Sequence, residues 1–442
     1  WLMRAGWRAA QCGSTPLLAV AVWRGSGVAT PACVCYPARV EHPPRSRRAL
    51  ALGPVPGLAL VAGWALAVGV AAGSLVGCAE PVRFERDQGI PPREGPALPP
   101  RPSVRTCLAG VDLSLGSLAP MPDVLSATSC FTDVAAGAPA ADLIPFGVNS
   151  PLWTDGAAKA RYVVLPPGEV VTRLPDGTLA FPVGTVLVKE FAMLMDDRRP
   201  SSFRRLEMRF VVRGASDWGF FTYRYEADGE DARLLTTGAD EDLRVRRAGV
   251  VEEFPYHFPS RAECVTCHSA ATERALGFRI DQLNGVFNYT GVIENQLVAL
   301  HSVGVFAGLD VPDGEELDPA AYPAMVDPTN EGEEPEARAR AYLHANCSHC
   351  HRPLGQSSPA LTLDMRIERS LADTHLCDEA QFFAPAGTLR IAPGDPDRSF
   401  VVQRMESTDP LRRMPPLGRT LPDYAGGVRA VRLWAARLDT CP

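Results

Sequence analysis

The first 78 residues hold no lysine and a single acidic residue, and no charge at all interrupts the run from Ala49 to Gly77. Seven arginines and one glutamate in that stretch carry +6, so removing it takes the formal charge from -7 to -13 (-7 minus 6). The remainder lacks the basic excess that a nucleic-acid partner needs and is suited to docking on a basic surface. Apart from two cysteine motifs there is no internal repeat. Apolar residues are not scarce: at 46% of 442 residues they suffice for two or three buried cores.

Twelve cysteines are too many for a cytosolic chain without a use for them, so the N-terminal segment decides the compartment. Arg45-Ser46-Arg47-Arg48 followed by the uncharged run reads as an export signal over residues 45–78. It ends in Leu75-Val76-Gly77-Cys78, which resembles a bacterial lipobox and implies lipidation of Cys78. The alternative is a transmembrane anchor of similar length, and either one exports the rest. Ala79 and Glu80 lack the Asp that resembles an inner-membrane retention cue, so the expected location is the periplasmic face, lipid-anchored, in the outer membrane. Residues 1–44 open on Trp1 and read as an over-extended or disordered start, and their Cys12, Cys33 and Cys35 carry no structural argument. Residues 79–106, dense in proline and charge, read as a tether.

The remainder reads as a multidomain α+β chain: a mainly antiparallel β domain at 107–258, then two mainly α regions at 259–335 and 336–442. Gly184 to Phe191, Phe203 to Val212 and Trp218 to Tyr225 have strand composition; in the second, Leu206, Met208, Phe210 and Val212 alternate with mostly polar residues. A sandwich or barrel follows from such strands. Val286, Ile293, Leu297, Leu300 and Val303 fall at roughly helical spacing, predicting a helix over Asn284 to Phe306. An acidic linker runs from Asp310 to Pro335, a helix from Glu336 to Ala345, and a terminal helix from Val428 to Leu438 with Val431, Trp434 and Leu438 on one face.

Two stretches carry chemistry: Cys264-Val-Thr-Cys267-His268 and Cys347-Ser-His-Cys350-His351. Two thiols three positions apart reach the two vinyl groups of one porphyrin, and the histidine that follows is placed to ligate its iron. The expected cofactors are therefore two covalently bound haems, held by Cys264, Cys267, Cys347 and Cys350, with His268 and His351 on iron. A four-thiolate zinc site is the rival, but it has no need of a histidine after each pair. Met414, in Arg413-Met414-Pro415-Pro416, is the expected distal ligand of the second haem, its prolines keeping the loop extended. For the first haem the candidate is Met325, with His257, His301, Met208 and an open sixth position as alternatives. Cys107 with Cys130 and Cys377 with Cys441 are candidate disulfide pairs that sequence alone leaves open.

From Glu336 onward the order of helix, Cys-x-x-Cys-His, loop, Met-Pro-Pro and terminal helix resembles a class I cytochrome c domain. The resemblance implies that the first and last helices cross, with Tyr342 and Leu343 meeting Leu433 and Trp434. A wider pattern, from Ile144-Pro-Phe-Gly-Val-Asn-Ser-Pro-Leu-Trp153-Thr-Asp155 through Phe181-Pro-Val-Gly-Thr-Val-Leu-Val-Lys189 and Asn295-Gln-Leu to Arg340-Ala-Tyr-Leu-His-Ala-Asn-Cys347, resembles a family of bacterial secreted diheme c-type cytochromes. Trp153 is expected in a core, with Asp155, Lys159 and Lys189 satisfying turns. The resemblance bears on the cofactors; the function expected from two haem irons is non-enzymatic electron transfer between redox proteins, or from a small donor. A diheme peroxidase-like enzyme, or a ligand-binding β domain with the haems as relay, is the alternative.

Overall fold

A computed structural model of the chain describes residues 94–442 except 273, 313–314 and 358–361. The export signal, Cys78 and the tether up to residue 93 lie outside the described residues. Six strands form one antiparallel meander: β1 (Ile144–Pro145), β2 (Ala158–Val164), β3 (Val186–Leu194), β4 (Phe203–Arg213), β5 (Trp218–Tyr225) and β6 (Ala232–Leu234). Their neighbours in the sheet follow chain order, so the sheet is open rather than a closed barrel. A hairpin of β7 (Ala239–Arg247) and β8 (Val250–Phe258) forms a sheet of its own.

Both faces of the meander are covered. Tyr162, Val188, Phe210 and Tyr223 point into a core closed by the 107–143 segment, within which Cys107 is bonded to Cys130. On the opposite face, Val163 and Leu187 join a core with Phe278, Leu283 and Leu297, while Phe191 and Leu206 join another with Leu243, Phe254 and Tyr256 of the hairpin. The end of the expected tether is docked rather than free: Leu98 is buried, and the Arg101 guanidinium donates to the backbone oxygens of Pro166, Glu169 and Gly304.

Residues 259–335 depart from the mainly α expectation. They hold α1 (Arg261–Cys267), α2 (Ile280–Leu283), a hairpin of β9 (Val286–Tyr289) and β10 (Val292–Asn295), and α3 (Gln296–Ser302). The helix expected over Asn284 to Phe306 is thus a hairpin followed by two turns of helix. Thr290 and Gly291 take positive φ of 52° and 95°, a turn conformation that ends any helix and that the flanking valines and aromatics use to pair. The region has no core of its own; Phe278, Leu283, Leu297 and Phe306 pack with the sheet. The acidic segment after Asp310 is irregular yet anchored, with Leu317, Tyr322 and Met325 buried and the Asn284 amide donating to the carbonyls of Pro319 and Tyr322.

The helices that follow are α4 (Pro335–Cys347), α5 (Leu371–Thr374), α6 (Phe400–Glu406) and α7 (Gly427–Arg437). Pro335 opens α4 at a position where its missing N–H costs nothing. α4 and α7 pack through Tyr342, Leu343, Val431 and Trp434; Leu433, expected there, is only half-buried and outside this core. The Tyr342 ring lies directly on the Cα of Gly427, and Asp423 accepts the N–H groups of Gly426 and Gly427 at 3.0 and 2.9 Å. Among the described residues no helix is long and apolar enough to cross a membrane.

Gly427→Ala gains helix propensity of roughly 1 kcal/mol, but its Cβ would overlap a buried ring, and overpacking of this kind costs about 1–3 kcal/mol. The clash should win. Denaturant unfolding of Gly427→Ala is expected to show a lower midpoint; an equal or higher one would mean that α4 and α7 do not meet at this residue.

Candidate functional site

The first cysteine motif sits on α1, whose start is fixed by a capping box: the Ser260 hydroxyl accepts from the Glu263 N–H and the Glu263 carboxylate accepts from the Ser260 N–H. Cys264 and Cys267, three apart, share one helix face. His268 ends the helix and is clamped from both sides by one residue. Its Nδ1 lies 2.6 Å from the Arg274 carbonyl oxygen, and an Arg274 guanidinium nitrogen donates to the His268 carbonyl at 3.0 Å. A carbonyl only accepts, so Nδ1 carries the proton and Nε2 keeps its lone pair. Burial is the main reason the ring is held down at about 3, and so neutral.

The second motif begins on the last residue of α4, and the N–H groups of Cys350 and His351 both return to the Cys347 carbonyl, at 3.0 and 2.9 Å. His351 is pushed down to about 4, by burial first and by His349, Arg390 and Arg404 after it, and its buried Nδ1 has no hydrogen-bond partner. The two motifs, 83 residues apart in sequence, touch: Cys267, His349 and Cys350 each place a ligand atom within 4.8 Å of the others. Of the described cysteines, Cys107–Cys130 and Cys377–Cys441 are disulfides, and the four free thiols are those of the two motifs.

A cavity of about 730 Å³ opens against both motifs. Cys264, Cys267 and His268 line it together with Phe220, whose ring centroid is 5.1 Å from that of His268. The sheet supplies the facing wall. Across its strands, Val163, Leu187, Val211 and Phe220 stand in register, and the next row is Arg161, Lys189, Arg209 and Thr222. All three cations of that row line the cavity. Burial, then Arg161 and Arg209, pushes the Lys189 ammonium down to about 7, and burial takes Arg161 to about 10. At Arg209 burial acts downward, but Glu207, bonded to it at 2.8 Å, outweighs this and raises the group. Lys159 and Lys189 thus stand inside strands; they do not satisfy turns, as the sequence had suggested.

The volume falls in the range of roughly 300–1,000 Å³ found for cofactor sites, and the wall combines apolar and aromatic side chains with many charged and polar ones. His268 has what a metal-bound imidazole requires, a supporting carbonyl that fixes the tautomer and leaves the other nitrogen free. The rival zinc site is poorly served. Only three donors converge among the described residues, Cys264 and Cys347 stand apart from them, and burial holds those two thiols up at about 11 and 12.

The candidates for a sixth ligand at the first motif also separate. Met325 is buried, lines the cavity and is held by its N–H bond to the Asp281 carbonyl at 2.8 Å. His257 has both ring nitrogens engaged, by Asp240 at 2.7 Å and Glu263 at 2.9 Å. Met208 faces the core on the far side of the sheet, and His301 is not part of the wall. Met414 is half-buried, its N–H bound to the Arg404 carbonyl and its own carbonyl bound by Arg419, while Pro415 and Leu417 line the cavity.

Sequence reasoning missed His344, which lines the cavity beside the motifs. Its Nδ1 accepts from the Ile367 N–H at 3.0 Å, so in the neutral ring Nε2 carries the proton: a donor, and not a metal ligand. Its place one helical turn before Cys347 is no signal by itself, because only the fold turns that face of α4 inward. Burial, with Arg279 next, takes His344 down to about 4 from its ordinary 6.5. The unfolded chain therefore binds the extra proton first, and the stability that the neutral ring contributes is whole above pH 6.5 and lost as pH falls toward 4. Unfolding titrations should show a smaller acid loss in His344→Gln than in the unaltered chain; equal losses would remove His344 from this role. The chain matches no family model, no curated protein and no solved structure.

Proposed function

We propose that the chain is an exported diheme c-type cytochrome that passes electrons between redox partners, with one haem on Cys264, Cys267 and His268 and another on Cys347, Cys350 and His351. The observation that carries the reading is the bond from His268 Nδ1 to the Arg274 carbonyl, which prepares Nε2 as a ligand beside two thiols in the wall of a large cavity. The restriction of free thiols to the two motifs, among the described residues, adds support.

Bound haem supplies a one-electron iron couple; the chain supplies position, insulation and charge. Burial keeps His268 and His351 neutral, the form that ligates. The contact between Cys267 and Cys350 favours exchange between whatever groups the two motifs hold. For the C-terminal region, the packing of α4 on α7 around Tyr342 and Trp434 supports the finer reading, a class I cytochrome c-like domain. Met414 is its distal ligand in this reading, pinned at both backbone groups so that its side chain has a defined origin. Met325 or an open position completes the first site. Lipid anchorage at Cys78 on the periplasmic face belongs to the same proposal. A second reading, a haem enzyme of the diheme peroxidase kind, is favoured by one observation, the proton that His344 presents on Nε2 in the cavity wall.

Mass measurement of the purified protein should find two haems covalently bound, and Cys267→Ser should remove one. In an optical redox titration Met414→Ala should lower the potential of one haem only, because a thioether holds the potential above that of other ligation. A chain without covalent haem refutes the reading, and an unchanged titration removes Met414 from the ligand set.

A further inference from the structure

Arg161, Lys189 and Arg209 are directly opposite one another on three neighbouring strands. Like charges so placed repel, and withdrawal from bulk water makes the repulsion stronger. The chain has only two lysines, Lys159 and Lys189, so a lysine in the middle of a sheet is not part of a general lysine-rich surface. Lys159, one row over, donates to the Ala157 carbonyl and is not in the cavity wall.

Glu207 accounts for one of the three cations. Its carboxylate binds Arg209 and accepts from the Tyr256 hydroxyl at 2.7 Å, and it is fully buried. Arg161 and Lys189 make no ion pair among the described residues. Of the other arginines of the wall, Arg279 pairs with Asp281 at 3.0 Å and Arg366 with Asp364, while Arg352 does not pair. The sheet therefore presents to the cavity two cations without an ion-pair partner among the described residues, Lys189 having only the Phe191 ring at 6.0 Å. Holding such charges away from bulk water without partners is unfavourable, and a bound anion offsets that.

We infer that Arg161 and Lys189, with Arg209 beside them, form a subsite inside the cavity for a pair of carboxylates. The first source rests on the function proposed above: a haem attached at Cys264 and Cys267 brings two propionate groups, and covalent attachment gives them a high effective concentration. A free dicarboxylate is the other source. In both cases two carboxylates meet Arg161 and Lys189, their negative charge holds the Lys189 ammonium in its charged form, and the arginine fork suits a carboxylate. This gives the β sheet a task in the site, that of holding the anionic edge of the ligand and setting the charge around it.

The test uses the haem-loaded protein, the variants Arg161→Gln and Lys189→Met, and succinate as the dicarboxylate probe, read by optical redox titration and thermal unfolding. If the propionates occupy the subsite, each variant shifts one haem potential downward, because a cation that favours the reduced state is gone, and succinate changes nothing in the unaltered protein. If a free dicarboxylate occupies it, succinate shifts the potential and raises the unfolding temperature of the unaltered protein, and both effects are lost in the variants. Potentials that stay put in both variants, together with no response to succinate, overturn the inference. A haem-free chain defeats the reading of the previous subsection instead, and succinate protection that is present in the unaltered chain and lost in the variants would still establish the subsite. Its absence there would end both.

Discussion

The carboxylate of Asp155 accepts the backbone N–H groups of Thr420 and Leu421 at 2.7 and 2.6 Å, and on this bond hangs the attachment of the helical region to the sheet. Asp155 is 2% exposed and holds a positive φ of 50°, a conformation that aspartate tolerates better than most residues. Burial raises its pKa above the ordinary carboxylate value. The two N–H bonds, with Arg247 and Arg419 nearby, act in the other direction. The residues just before it extend the seam. Trp153 donates through its ring nitrogen to the Leu421 carbonyl and through its backbone to Asn346, and the Ser150 hydroxyl donates to the Ala341 carbonyl. Asn149 binds the carbonyls of Asp281 and Asn284. One short segment thus ties together the sheet, the region around α2, helix α4 and the loop after Met414.

The cavity is a product of that seam. Its walls come from parts of the chain that are far apart in sequence, and neither cysteine motif closes it alone. The residues after 259 lack an independent core and share one with the sheet, so the β region is a structural half of the site rather than an appended module. This arrangement also explains how charged residues persist in mid-strand. The row of Arg161, Lys189 and Arg209 lies between two apolar clusters on the same face, where a gap in the packing leaves room that side chains do not fill.

The sequence made the strands from Gly184 to Tyr225 and the helices at either end of the last hundred residues legible because each carries a clean period and clear stop signals. It misled at Asn284 to Phe306, where apolar spacing fits a helix but Thr290-Gly291 turns the chain back on itself. The cysteine motifs were legible for their spacing; their contact was not, since it depends on the long-range bonds of Asn149 to Asp155. Arg209 was read as one of the polar residues alternating with Leu206, Met208, Phe210 and Val212. Alternation shows that a side chain leaves the core face, and it does not show whether water or a cavity receives it. A lysine inside Val186-Leu-Val-Lys189-Glu-Phe was the signal available, a charge set within an apolar run.

The contact between Cys267 and Cys350 bears on how such a protein comes to be assembled. Two thiols in contact are able to pair with each other, as Cys107 has paired with Cys130 and Cys377 with Cys441. On the function proposed above, haem attachment and pairing compete for these two sulfurs, so attachment has to come before the fold brings them together.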